Sequence, residues 1–288
     1  MNWRKNILLK KARRYGMTIP RFYNVVTSDS ADYIKTPPIF LNSFPKSGTH
    51  LLMQVLQAIP GIKDWGLFLA STPSYTFKEI PATIMAGKIK AISPGELVTS
   101  HVYSSSEVDD ALDIINAVKY FIYRDPRDVV ISEAYYLATM NRWHKLHDIY
   151  SSMSSDLERF QLSISGLPEG EGIQYQDIGA RFMKYSGWVS SKDCLPIKFE
   201  HLRSDSEKVE VVRNILSHYI DRVDGPFDLS ELTDVALKNI DPGNSHTFRS
   251  GGMRQWQDLL TDQQIDNLKV LVGDLLIDLG YEKNLNWD

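Results

Sequence analysis

The chain has 288 residues, 43% of them apolar, which is enough for one large α/β core or at most two small domains. Its net charge of −4 argues against a nucleic-acid partner or a polyanionic acceptor, because binding a phosphate backbone needs a broad basic face. A single cysteine, Cys194, leaves no intrachain disulfide and no cysteine-rich metal site, which suits a reducing cytoplasm.

Residues 1–35 read as a basic leader helix. Six Lys or Arg fall within the first fourteen residues, with Trp3, Ile7, Leu8 and Leu9 between them. That pattern fits a short amphipathic helix in peripheral contact with anionic lipid through residues 1–14, or more simply a helix packed on the domain's own edge. No stretch approaches the roughly twenty apolar residues of a membrane span, and no apolar signal core follows the basic start. Thr36-Pro37-Pro38 then punctuates the chain, so a single domain is expected over 36–288.

A strand is predicted at 38–43. It runs into Phe44-Pro45-Lys46-Ser47-Gly48-Thr49-His50, followed by an apolar helix over 49–60 that Pro60-Gly61 ends. Gly48 lets the backbone wrap an anion, the helix start offers unpaired N–H groups at its positive end, and Lys46 adds a mobile charge. The order is not that of an ATP or GTP loop, G-x-x-x-x-G-K-[ST]: the lysine precedes the glycine, and Asn42 stands where the opening glycine would be. Residues 65–77, aromatic and without sustained periodicity, are expected to be a loop that either forms an acceptor pocket or packs on the core.

Further strands are predicted at 96–102, 117–124 and 194–199, separated by helical stretches. His101 ends the first of these; an imidazole there suits a general base, although a lone histidine at a strand end is often only structural. Arg124 closes the second, and Asp125-Pro126-Arg127-Asp128 opens a helix with proline in its first turn and acids at its positive end. Ser132 follows about two turns beyond Arg124, so a guanidinium fork and a hydroxyl are spaced to hold one phosphate from two sides. His144 and His147 share a helical face and are expected at the surface, with no metal site. Residues 141–176, with their Ser, Gly and Pro content, are expected to form a mobile lid or acceptor loop. Cys194 reads as inert core.

Strands alternating with helices imply parallel βαβ units with right-handed crossovers, which place every strand's carboxyl end, and hence the ligands, on one edge. The expected fold class is α/β.

Pro45-Lys46-Ser47-Gly48-Thr49 resembles the phosphosulfate-binding loop of the sulfotransferases, which use 3′-phosphoadenosine-5′-phosphosulfate (PAPS) as donor. Residues 121–132 resemble that family's 3′-phosphate element, Y-x-x-R-x-P-x-D-x-x-x-S, with Phe121 in the tyrosine slot. Residues 248–261 resemble its carboxyl-terminal segment, R-K-G-x-x-G-D-W-x-x-x-F-T, with Arg249, Gly251, Trp256 and Thr261 in register. The three motifs come in the family's order and together span most of the chain.

The resemblance implies a three-layer α/β fold, a central parallel sheet with helices on both faces, like that of the nucleotide kinases but carrying a phosphosulfate-binding loop. It implies sulfonyl transfer from PAPS to a hydroxyl or amine of a small-molecule acceptor, without a metal. Lys46, His101 and Ser132 take the catalytic positions. Lys46, Ser47, Gly48, Thr49, His50, Arg124, Ser132, Phe199, Arg249, Ser250 and Gly251 take the nucleotide-binding ones, Phe199 by packing on the adenine side or simply as core. The chain departs from the pattern at Leu51, where a tryptophan stacks on adenine, at Thr99 and Ser250, where lysines stand, and at Gln255, an aspartate in the family. Two positive charges are thus missing unless Arg127 or Arg254 compensates. A kinase-like nucleotide enzyme and a catalytically silent nucleotide-binding protein stay open as alternatives.

Overall fold

The computed structural model describes residues 7–168, 170, 172–241 and 252–287, with side chains from Gly16 onward. In chain order the elements are α1 (Ile7–Thr27), α2 (Ser30–Lys35), β1 (Ile39–Ser43), α3 (Thr49–Leu56), β2 (Phe68–Ala70), α4 (Ala82–Ile89), β3 (Leu97–His101), α5 (Ser106–Ile114) and β4 (Val118–Tyr123). There follow α6 (Pro126–Tyr135), a π-helical turn at Tyr136–Met140, α7 (His147–Ser152), α8 (Asp156–Ser165), α9 (Ile178–Met183), α10 (Ser186–Ser190) and β5 (Cys194–Lys198). The chain ends with α11 (Phe199–Arg203), α12 (Lys208–Ile220), α13 (Leu229–Asn239), α14 (Trp256–Leu259) and α15 (Asp262–Asp278). Contacts divide the chain into two compact units, one of residues 1–71, 80–123 and 187–248 and the other of 72–79, 124–186 and 249–288.

The first unit holds a five-stranded sheet in the order β2-β3-β1-β4-β5, and every strand pair is parallel. All five residues of β1 and all six of β4 are buried, as strands covered on both faces must be; this is why both read as continuous apolar runs rather than alternating ones. On one face Ile39, Leu41, Tyr120 and Ile122 join Leu52, Val55 and Leu56 of α3 and Val212, Ile215 and Leu216 of α12 in one cluster. On the other, Phe40 meets Trp188 at 5.8 Å, and the buried Lys119 ammonium pairs with Asp113 of α5 at 2.7 Å. Helices therefore cover both faces, the expected three-layer arrangement. Winding reverses at β1, which has β3 on one side and β4 on the other, and ligands of open α/β sheets gather outside the strands' carboxyl ends at such a point.

Four expectations need correcting, three of them on element bounds. Residues 65–77 contain β2, an edge strand paired with β3 from Phe68↔Thr99 to Ala70↔His101; a three-residue strand is too short to show periodicity. Helix α3 stops at Leu56, before the Pro60-Gly61 signal. Residues 141–176 are not one loop: they hold α7 and α8 and bury Tyr150, Phe160, Ile164 and Tyr175.

The interior of the second unit is polar as well as apolar. Glu133 accepts from Arg181 at 2.6 Å and from the Tyr175 hydroxyl at 2.8 Å, and Tyr150 links Tyr175 and Ser163 at 2.9 and 2.7 Å. Every member of this buried chain is satisfied, as a polar core requires. His144 and His147 are half-buried rather than on the surface: Nδ1 of His144 accepts from the Leu146 N–H, and burial pushes its pKa down to about 4.

Candidate functional site

In the first unit the chain leaves β1 at Ser43 and enters α3 at Thr49. Two residues of the connecting loop adopt the left-handed backbone, Lys46 at φ 68° and Gly48 at φ 96°. A non-glycine residue there is strained and persists only where its surroundings fix it, commonly at a ligand site. Alternation of hand along such a loop turns successive N–H groups inward to form a nest for anions. Gly48 caps α3 without any side-chain bond, and its own carbonyl accepts from the Leu51 and Leu52 amides at 2.9 and 3.2 Å.

Gly48 is required for a second reason. A Cβ there would lie 2.6 Å from Cδ2 of Phe199, whose buried ring belongs to the core cluster. The Ser47 side chain is fully buried, and its hydroxyl has no hydrogen-bond partner among the described residues. An orphaned buried hydroxyl carries a desolvation cost that a bound anion would relieve. Asn42 explains why no glycine opens the loop. It is fully buried, its Nδ2 donates to the Val102 carbonyl, and its Oδ1 accepts from the Ser100 hydroxyl and the Val102 N–H. These bonds pin the carboxyl ends of β1 and β3 together.

His101 ends β3 beside this loop. Its Nδ1 donates to the Ser43 carbonyl at 2.9 Å and lies 3.0 Å from the Ser43 hydroxyl, which is itself 2.6 Å from the Thr49 hydroxyl. Donation to a carbonyl fixes the tautomer: Nδ1 carries the proton and Nε2 the lone pair. Burial above all, with the Lys46 charge adding to it, pushes the imidazole pKa down to about 4 against the Ser43 and Ser100 backbone bonds. At neutral pH the ring is uncharged, with Nε2 ready to accept. Ser43 was missed by sequence reasoning; it hydrogen-bonds the first residue of α3 and a neighbouring-strand residue at once, and no local pattern announces that. His50 is the second residue of α3 and half-buried.

In the second unit Asp125 caps α6, accepting from the Arg127 N–H at 2.9 Å, and Pro126 takes the first helical position, as the sequence predicts. Arg124 Nη2 donates to the Gly252 carbonyl at 2.5 Å and lies 3.4 Å from Asp128 Oδ2. The Asp128 carboxylate also receives the Arg254 N–H at 2.8 Å and the Trp256 N–H at 3.3 Å. Burial pushes the pKa of Asp128 up, and the Arg124 charge opposes it. Two motifs more than a hundred residues apart in sequence are thereby joined at one carboxylate. Ser132 lies half-buried on α6. Arg249, Ser250 and Gly251 lie outside the described residues.

Arg127 does not compensate for a missing charge. Its guanidinium lies 4.1 Å from the Trp256 ring and 4.5 Å from the Trp287 ring, and it pairs with Asp125 at 2.7 Å and with Glu282 at 2.5 Å.

No protein-family model matches the chain, and no curated protein matches it in sequence. Among solved structures it is similar to a mouse sulfotransferase, SULT7A1, complexed with PAP, at 18% identity and TM-score 0.58 over 90% of this chain and 91% of that one. It is also similar to retinol dehydratase in complex with androsterone and the inactive cofactor PAP, at 12% identity and TM-score 0.55 over 89% and 86% of the two chains. The retinol dehydratase complex with retinol and PAP gives 11%, 0.52, 90% and 86%. At such identities the likeness establishes the fold, which this chain shares with those PAP-bound proteins, while activity rests on the residues of the site.

Proposed function

We propose that the chain is a PAPS-dependent sulfotransferase acting on a hydroxyl or amine of a small molecule and releasing adenosine 3′,5′-bisphosphate (PAP). The observation that carries this reading is the β1–α3 loop: a left-handed Lys46, a Gly48 with no room for a Cβ, and an orphaned Ser47 hydroxyl, with a neutral His101 tied alongside through Ser43. PAPS supplies a sulfonyl group bonded to a phosphate leaving group. The chain must position the acceptor in line and meet the charge that grows on the departing oxygen.

Lys46, the orphaned Ser47 hydroxyl and the amides of Gly48 and Thr49 meet that charge, with His50 completing the loop. Nε2 of His101 takes the acceptor's proton as its oxygen bonds to sulfur and the bond from sulfur to the phosphate oxygen breaks. Arg124, Ser132, Arg249, Ser250 and Gly251 hold the 3′-phosphate, and Phe199 is the floor on which Gly48 rests. Ser43 positions His101. Cys194, buried with its thiol pKa pushed up by burial, is inert, which fits a reducing compartment such as the cytoplasm. No described helix is long and apolar enough to cross a membrane.

The test is titration calorimetry with PAP, PAPS, ATP and GTP, followed by turnover of labelled PAPS against a panel of hydroxylated and amine-bearing metabolites. Binding of PAP and PAPS over ATP, with label transferred to at least one acceptor, is expected; preference for ATP, or PAP binding with no transfer, would overturn the reading. Lys46→Ala should lower turnover by about 10²–10³ and leave the unfolding midpoint in place.

A further inference from the structure

Among its described side chains, from Gly16 onward, helix α1 docks by one side. Arg21 Nε pairs with the fully buried Glu96 at 2.6 Å and its Nη2 donates to the Ala91 carbonyl at 2.7 Å, while Asn24 Nδ2 donates to the Pro94 carbonyl. The opposite side carries Ile19, Phe22, Tyr23 and Val26, spaced three, four and seven residues on from the first and exposed by 76%, 68%, 70% and 64%. This spacing gathers the four on one helical face, an apolar and partly aromatic stripe that the chain's own core leaves uncovered.

Charge narrows what covers the stripe. The first 28 residues carry seven of the chain's 32 basic residues, Arg4, Lys5, Lys10, Lys11, Arg13, Arg14 and Arg21, and none of its 36 acidic ones. The remaining 260 residues hold 25 basic against 36 acidic; with Arg21 spent on Glu96, six positive charges at residues 4–14 are segregated on an otherwise acidic protein. A second copy docking through this helix would bring two such clusters together and be repelled. Nucleic acid would match the charge but leave the stripe in water. An anionic lipid surface satisfies both, with the apolar side chains entering the acyl boundary and the Lys and Arg meeting headgroups.

We infer that α1 is an interfacial membrane anchor that holds this chain on anionic lipid, leaving the sheet and its carboxyl-end loops in solution. The inference is independent of the proposed activity.

The full chain is spun with vesicles of phosphatidylcholine alone and with vesicles containing about one-third phosphatidylserine, at low and at raised salt. Binding at least about tenfold stronger to the anionic vesicles, and weakened by salt, is expected. Phe22→Ser with Val26→Ser should abolish it without moving the unfolding midpoint, because both residues are exposed, and Lys10→Glu with Lys11→Glu should weaken it. Equal binding to both vesicles, or binding that survives the Phe22/Val26 variant, overturns the inference. So does a dimer in equilibrium centrifugation that the same variant dissolves, or tighter binding to a short DNA duplex than to anionic vesicles.

Discussion

Replacing His101 by asparagine tests whether its imidazole is held neutral by the fold. Asparagine keeps a donor for the Ser43 carbonyl but has no titrating ring. The pKa is about 4 in the folded chain against 6.5 for an ordinary histidine, so the unfolded chain binds the proton more readily. Stability contributed by the neutral ring is therefore complete above pH 6.5 and is lost as pH falls toward 4. From these two values the unfolded chain gains about 2 kcal/mol at pH 5 and approaches about 3 kcal/mol below pH 4. His144 carries a similar shift, so the wild type loses both contributions and His101→Asn only one. Urea unfolding of both proteins at pH 7, 6 and 5 isolates the difference: the wild type should lose about 2 kcal/mol more than the variant between pH 7 and 5. The same neutral imidazole predicts that the acid limb of kcat/KM falls well below pH 6. Parallel losses of stability, or an acid limb centred near 6.5, would refute the picture of a buried, uncharged base.

Other substitutions probe the remaining parts. Gly48→Ala should cost about 1–2 kcal/mol for the left-handed backbone and about 1–3 kcal/mol for the contact with Phe199; trimming the ring with Phe199→Leu in that background should recover only the second part. An unfolding midpoint indifferent to Gly48→Ala would mean that the loop is not built as described. Asp128→Ala strips the acceptor from the Arg254 and Trp256 amides and the counter-charge from Arg124, a loss of about 3–5 kcal/mol, measured by urea unfolding, with weaker PAP binding by calorimetry; unchanged values on both would show that the carboxylate joins nothing. Arg254→Gly should hold or slightly raise stability while weakening PAP binding by about tenfold or more, and a parallel fall in both would assign Arg254 a structural role.

What could be read from the sequence was what is local in it. The β1 loop and the start of α6 are contiguous strings whose chemistry follows from neighbouring residues: a strand, an anion nest and a helix start in one case, a capping aspartate with proline at the first helical position in the other. Residues 141–176 misled because Ser marks loops and helix starts alike: Ser155 caps α8, so part of what reads as a loop signal is a helix cap. The polar chain through Glu133, Tyr150, Tyr175 and Arg181 links residues up to 48 positions apart, and no period in the sequence encodes it. Ser43 was hidden for the same reason, since its ring partner lies 58 positions on.

The charges missing at Thr99 and Ser250 make phosphate affinity depend on what else is free to serve. Arg127 is not: taking its guanidinium from beside the Trp256 and Trp287 rings, and from Asp125 and Glu282, would leave the buried Asp125 carboxylate uncompensated, at a cost beyond the about 1.5–3 kcal/mol that a charge-assisted bond returns. Arg254 differs in kind. It stands in the second glycine slot of the segment it occupies, its backbone is left-handed at φ 57°, and its side chain is exposed. A non-glycine residue in that conformation costs about 1–2 kcal/mol, yet it is held there by the Asp128 carboxylate on its N–H. Glycine would fit the backbone without strain; arginine accepts the strain and carries a charge on a flexible stem. Under the proposed activity, a cation kept at an unfavourable backbone position by a buried acid is the group to supply the anion contact that the resemblance assigns to a lysine at position 250.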